Sequence, residues 1–340
     1  MANNRPQSDQ APAGRVTMSA VAREASVSVS TVSKVLNGRP GVSAEVRRQV
    51  ESLLEKRAYA RRGAVARSAC IHVVFGALDT DWTLEILQGI EIETTRRGLS
   101  IVLTPSSNPQ DPNHDWANAI IRQKTLGVIV LFAPIGAQQQ SQLRNRNYPF
   151  VVLDPAGQSD HDVPSVSSQN WPGGWAAADH LLSLGHRDIA VIGRLGDPLW
   201  WRARYSGFVS ALEAAGQSIR PECLRFGRFR VEDGLEHGRA ILSLPKVPTA
   251  IFTGADLQAV GVYEAARELG LRIPEDLSVI GYDDLPVASW LGPPLTTVRQ
   301  PIAEMAATAV RLVLDQQTSD DQRLALATKL VVRESTAAPR

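Results

Sequence analysis

Hydrophobic positions recur with two different periods along the chain, and the change of period divides it. Between residues 16 and 58 they fall three and four apart, the spacing of short amphipathic helices. Met18, Val21, Ala22 and Ala25 make one stripe, Ala25-Ser26-Val27 reads as a turn, and Ser28 is placed to cap a second helix. That second helix would bury Val32, Val35 and Leu36 and show Ser30, Lys34 and Asn37 on its opposite face. Ser43 can cap a third helix with Glu45 in its first turn and Val46, Val50, Leu53 and Leu54 as its stripe. Two short helices joined by a tight turn have the shape of a helix-turn-helix that enters a DNA major groove. An ordinary helical hairpin packed on a larger core fits the same spacing, and the third helix favours the compact headpiece.

From residue 70 the pattern becomes short apolar runs alternating with amphipathic stretches. The runs are 71–76, 101–104, 127–132, 150–154, 189–193, 249–253 and 278–282; the helical stretches are 83–97, 114–123, 174–184, 203–215, 232–243, 257–269 and 302–315. Strands alternating with helices predict parallel sheets wrapped by helices, and the length suits two such lobes. In open sheets of this kind ligands bind beyond the carboxyl ends of the strands. Those ends lead into loops holding Asp79, Asp81 and Trp82, then Asp154, then Asn170, Trp171 and Trp175, then Trp200, Trp201, Arg202 and Arg204, then Asp256, and last Asp283, Asp284 and Trp290. Six of the seven tryptophans fall in or near these loops.

Charge sharpens the division. The whole chain carries a formal net charge of only +1, yet residues 1–69 hold 12 Lys/Arg against 5 Asp/Glu, so the rest is acidic. A basic end on an acidic body suits a polyanion held through that end alone, with binding that weakens steeply as salt rises. A hydrophobic content of 44% is a globular value. Cys70 and Cys223 form no metal or redox motif and suit ordinary packing in a reducing cytoplasm. No apolar run is long enough to cross a membrane, and residues 1–15 lack the apolar stretch of a signal peptide and read as a disordered tail. A cytoplasmic protein is therefore expected.

The chain resembles the lactose-repressor (LacI/GalR) family of bacterial transcription regulators from about Val16 to Thr336. The resemblance rests on Val16-Thr17 with Val21-Ala22, on the run from Val27 to Asn37, on Val42-Ser43 with Arg47 and Val50, and on Tyr59. It implies an α/β fold class: a small all-α helix-turn-helix headpiece (16–58), a basic linker (59–69), and a two-lobed periplasmic-binding-protein-like core with parallel sheets (70–334). The first lobe is placed at about 70–167 plus 300–318, the second at about 168–299 plus 319–334. It also implies a homodimer on a pseudo-palindromic double-stranded operator, with Val29, Ser30 and Lys34 reading base edges. Thr17, Ser28, Thr31 and Ser33 would contact phosphates or position the helices. In the linker Ser68 stands where many relatives carry a DNA-wedging leucine, and Gly63 weakens a helix. Arg61, Arg62 and Arg67 would follow the phosphates or enter a narrow minor groove, and a flexible basic linker fits equally.

Between the lobes the expected ligand is a small sugar, with no cofactor. Indole rings cover apolar sugar faces, while carboxylate, amide and guanidinium groups bond hydroxyls in fixed directions. The candidates are Trp82, Asn170, Trp171, Trp201, Arg204, Asp256, Asp283 and Trp290. Arg204 and Asp283 match sugar-holding residues of the resembled family; Asp256 matches a family Asp, although capping the helix 257–269 would explain it as well. Ala255 stands where sugar-binding relatives often carry Asn or Ser. The tryptophan count leans toward an oligosaccharide from plant polymers. A transport protein sharing the core would lack the headpiece. An α/β enzyme would need an elbow, phosphate loop or metal motif, none of which occurs.

Overall fold

A computed structural model describes residues 17–37, 39, 41–56, 68–76, 78, 81–107, 115–132, 135–155, 163–196, 198–315 and 323–340. The tail, the linker from 59 to 67 with Arg61, Arg62 and Gly63, and Asp79 lie outside these residues.

In chain order the elements begin with α1 (Met18–Glu24), α2 (Val29–Leu36), α3 (Ala44–Lys56), β1 (Cys70–Phe75), α4 (Asp81–Arg96), β2 (Ser100–Pro105), α5 (Trp116–Gln123) and β3 (Gly127–Leu131). There follow α6 (Ala137–Arg144), β4 (Phe150–Leu153), β5 (Ser165–Ser168), α7 (Asn170–Ser183), β6 (Ile189–Arg194), α8 (Leu199–Ala214), β7 (Leu224–Gly227) and α9 (Val231–Leu242). The last are β8 (Ala250–Thr253), α10 (Asp256–Glu268), β9 (Ser278–Asp283), α11 (Pro286–Trp290), β10 (Thr296–Arg299), α12 (Ile302–Leu314), β11 (Arg323–Leu326) and β12 (Lys329–Val331).

The chain forms two compact units. The first takes Met1–Ala69, Asn108–Leu126 and Ile135–Pro149, and so joins α5 and α6 to the three headpiece helices. Thr17 caps α1 by accepting from the Ala20 amide at 3.2 Å, and Ser28 caps α2 by accepting from the Thr31 amide at 3.0 Å. Ser26, at φ 53°, takes the left-handed conformation that lets the chain reverse between them. Val21, Ala22, Ala25, Val32, Val35, Leu36, Val50 and Leu54 are buried together, the stripe that the spacing predicts. Each buried Val or Leu contributes about 1.5–3 kcal/mol before conformational entropy is set against it. The amide and guanidinium donors of α6 and the turn after it also bond the end of α2.

The second unit holds Cys70–Ser107, Gly127–Pro134 and Phe150–Arg340 and carries two six-stranded sheets. One runs β11-β5-β4-β3-β1-β2, all parallel; the other runs β12-β10-β9-β8-β6-β7, parallel except for β10–β12. Every predicted apolar run is a strand; apart from the edge strand β2, whose residues are half-buried or exposed, these runs are buried, and strands buried on both faces read as unbroken apolar segments. The chain passes between the sheets near Gln169, Gln300 and Ala327. Gln169 donates from its backbone to Leu326 at 2.8 Å and accepts from Thr328 at 3.1 Å, and Ser168 donates to Gln300 at 2.8 Å, so the crossings are bonded to one another. The third crossing falls later than the expected residue 319. Arg323–Leu326 adds a parallel strand beside β5 in the first sheet, and only Lys329–Val331 joins the second.

Candidate functional site: a helix-turn-helix face and an aromatic cleft

The two ends of the chain's chemistry lie in separate units. In the headpiece unit, Thr17, Ser28, Val29, Ser30 and Lys34 are exposed, whereas Thr31, Ser33 and Asn37 are half-buried. Val29 keeps 43% of its surface in water, unusual for an apolar side chain in a helix whose other valines are buried. The Ser28 hydroxyl lies 2.7 Å from that of Ser30 and 2.8 Å from that of Thr31, and these bonds hold the first turn of α2 in one arrangement. Ser33 and Asn37 are bonded to each other through Asn37 Nδ2, at 3.2 Å to the Ser33 hydroxyl and 2.6 Å to its carbonyl.

In the second unit a cleft of about 550 Å³ opens at the carboxyl ends of both sheets. Its position follows from strand order. In each sheet the order reverses next to one central strand, between β1 and β3 and between β6 and β8, and there the outgoing loops part to leave a crevice. Gly76 and Phe132 come from the first such point, Arg194 and Ala255 from the second. The volume lies within the usual range for small-molecule sites.

Aromatic rings line it in sequence: Trp82 to Phe132 at 4.4 Å between centroids, Phe132 to Trp200 at 6.2 Å, and Trp200 to Phe229 at 5.4 Å. Arg204 lies in the lining although it is almost wholly buried, with its guanidinium 3.3 Å from the Tyr282 ring centroid. It donates to Asn170 Oδ1 from Nη2 at 3.0 Å and from Nε at 3.3 Å, and to the Gly254 carbonyl. Close helix packing sets its height. A Cβ on Gly174 of α7 would stand 1.9 Å from the Arg204 carbonyl, and one on Gly207 of α8 would stand 2.0 Å from that of Trp171.

Asp283 Oδ1 lies 3.8 Å from Arg204 and accepts from Gln300 at 2.6 Å. Burial nonetheless pushes its carboxyl above the usual range, with Arg204 and the Gln300 bond holding it back. Asp154, also in the lining, is pushed up to about 7, because burial outweighs the attraction of Arg204 and the charge of Asp283 adds to burial. Its φ of 49° and the 112° of Asp283 place both carboxylates on unusual backbone, a feature concentrated at functional sites. Three buried polar atoms of the lining find no partner among the described residues: Asp154 Oδ1, Trp82 Nε1 and Trp200 Nε1.

Of the sequence-derived ligand candidates, Trp82, Arg204 and Asp283 line the cleft, and Asn170 lies behind it as the acceptor that orients Arg204. The other four are not among the lining residues. Trp201 is turned into the core, where its ring occupies the space left by Gly193. Helix α8 begins at Leu199 instead of 203, so Trp200 and Trp201 point about 100° apart and Trp200 takes the cleft side. Trp171 is 42% exposed and stacks on Trp175. Asp256 is fully buried, accepting from Thr297 at 2.6 Å and from the Leu285 amide at 2.8 Å; it is the first residue of α10 and not its cap. Trp290 ends α11 with 80% of its surface in water. Asp154 and Trp200 stood in the strand-end loops that the sequence marked but were not chosen as ligand residues, while Phe132, Phe229 and Gln300 were passed over; the apolar run ending in Phe132 was the available signal.

Two family descriptions match the chain: "Bacterial regulatory proteins, lacI family" over residues 17–62 and "Periplasmic binding protein-like domain" over residues 178–336. Catabolite control protein A of Priestia megaterium is 31% identical over 331 residues, covering 94% of this chain and 99% of its own length. The HTH-type transcriptional repressor PurR of Yersinia enterocolitica is 33% identical over 331 residues, with 94% and 97% covered. Among solved structures, a complex of the transcriptional regulator CelR with cellobiose is 30% identical with a TM-score of 0.71, covering 94% of this chain and all of that one. The lac repressor dimer bound to operator and the anti-inducer ONPF is 27% identical with a TM-score of 0.69, covering 95% and 100%. This chain therefore belongs to the lacI family of bacterial regulatory proteins.

Proposed function

We propose that this DNA-binding transcriptional repressor, which is not an enzyme, answers to a small sugar bound in the aromatic cleft of its two-sheet unit. The observation that carries the reading is the unmet hydrogen-bonding capacity of the cleft wall. Two indole N–H donors and one carboxyl oxygen are buried there with no partner among the described residues, beside four aromatic rings. Buried polar groups left unsatisfied are costly, and a polyhydroxyl ring offers acceptors and donors to such groups while its apolar faces lie against the rings. Arg204 and Asp283, held by Asn170 and Gln300, supply fixed directional contacts at the same wall. Cellobiose bound to CelR makes a two-ring glucoside the first ligand to try. Asp256, bonded within the protein, holds the wall together and does not take ligand.

Operator reading falls to the exposed face of α2, with Val29, Ser30 and Lys34 at base edges and Thr17, Ser28, Thr31, Ser33 and Asn37 at phosphates or as supports, and with Arg61 and Arg62 following the backbone. A homodimer would place two such helices on a pseudo-palindromic site, the arrangement that two-fold symmetry requires. The test is an anisotropy titration of labelled operator, selected from a random pool, with and without a panel of mono- and disaccharides. We expect one sugar class to shift the affinity of the parent, Arg204→Ala to lose the shift while keeping DNA binding, and Ser30→Ala with Lys34→Ala to lose sequence selection while sugar binding survives. A sugar response that persists in Arg204→Ala would refute the cleft, and selection that persists in the double variant would refute the reading face.

A further inference from the structure

The carboxyl end of α2 is gripped from outside the helix-turn-helix. A helix end leaves backbone carbonyls without intrahelical partners and carries partial negative charge. Here those acceptors are met by side chains of α6 and the turn that follows it. Gln142, fully buried, donates to the Asn37 carbonyl at 3.1 Å and to Asp115 at 2.9 Å, which locks its amide in place. Asn145 donates to the Val35 carbonyl at 3.4 Å. Arg146 bonds the Asn37 side-chain oxygen and, through its other terminal nitrogen, Asn118 on α5 at 3.0 Å. A fourth bond, from Ser141 to Glu51 at 3.1 Å, holds α3 to the same face. Donors and a cation thus meet the negative end of the helix, while Ser30 and Lys34 stay exposed.

We propose that the face formed by Ser141, Gln142, Asn145 and Arg146 is a dock for the chain's own headpiece, and that it competes with DNA for Asn37. The proposal rests on the reading of α2 as the operator-reading helix. Asn37 carries one side-chain oxygen, an acceptor, and while Arg146 holds it that oxygen is withdrawn from a donor on a base edge, such as an amino group of adenine or cytosine. Docking therefore stabilises the DNA-free arrangement, and operator binding must displace it. Each hydrogen bond of this kind shifts an equilibrium by roughly two- to tenfold.

The experiment compares the full chain with Arg146→Gln and Asn145→Ala, measuring operator affinity and amide hydrogen exchange in residues 29–37 and 137–146. The proposal expects both variants to bind operator about three- to tenfold tighter and to exchange faster in both segments. For Arg146→Gln the expected sign is opposite to the generic effect of deleting a cation near DNA, which weakens binding. Unchanged or weaker binding in both variants, with unchanged exchange, overturns the dock. If the parent selects no DNA sequence, the reading of α2 fails instead, and the exchange comparison still decides the dock.

Discussion

Replacing Asp154 by Asn should stabilise the protein at pH 8 far more than at pH 5. Asp154 is buried in the cleft wall with its carboxyl at about 7, against 3.8 for an unperturbed Asp, and burial is the main cause. A raised acid keeps its proton in the folded chain over a range where the unfolded chain has already lost it. The folded state therefore binds more protons between about pH 4 and pH 7, and stability falls as pH rises through that window. Below it the group costs nothing, and above it the full cost of burying a charge is present. At about 1.4 kcal/mol per pH unit the cost approaches about 4 kcal/mol above pH 7, of which about 1.5 kcal/mol is already present at pH 5. Asn has nearly the same shape and no charge, so its advantage over Asp should grow by about 2–3 kcal/mol between pH 5 and pH 8. Urea unfolding of parent and variant at both pH values measures this directly. Titration of Asp256 and Asp283 is common to the two proteins and largely cancels in the difference. A gap between variant and parent that is the same at pH 5 and pH 8 would show that Asp154 is not held protonated by its surroundings, and the account of the cleft wall would fail with it.

The two adjacent tryptophans of α8 should behave oppositely. Trp201→Ala opens a cavity in the core and should cost about 3–5 kcal/mol of unfolding free energy by calorimetry or denaturant, while Trp200→Ala should leave stability closer to the parent and remove most of any sugar-induced fluorescence change. Gly174→Ala should force α7 and α8 apart, since its new methyl would meet the Arg204 carbonyl at 1.9 Å. A stability loss of about 1–3 kcal/mol, together with sugar binding weakened by about tenfold in a calorimetric titration, is expected; normal sugar affinity would mean that helix contact does not set the position of Arg204.

Much of the fold was legible because burial leaves a periodic trace. Strands covered on both faces had to be apolar throughout, so 71–76, 127–132 and 150–154 announced themselves, and the stripe of Val21, Val32, Val35 and Leu36 announced the headpiece core. The strands that escaped are short or polar, such as Ser165–Ser168, which is Ser-rich and lies where the chain changes sheets. Trp200 and Trp201 are chemically identical neighbours, and only the start of α8 at Leu199 decides which of them lines the cleft. Asp256 looked like a ligand or a cap, yet its oxygens are taken by Thr297 and Leu285, partners 41 and 29 residues away.

By itself the sequence determined the class of partner: a basic helix-turn-helix followed by alternating strands and helices is set by local spacing and charge, which act over a few residues. It also marked Arg204 and Asp283, whose type and place after strands suit polar recognition. Tertiary structure alone decided which aromatic rings face the cleft, why burial pushes the Asp154 carboxyl up, and that α6 holds the end of α2. Those outcomes depend on groups far apart in the chain coming within a few ångströms, where burial and hydrogen bonding change what each side chain can do.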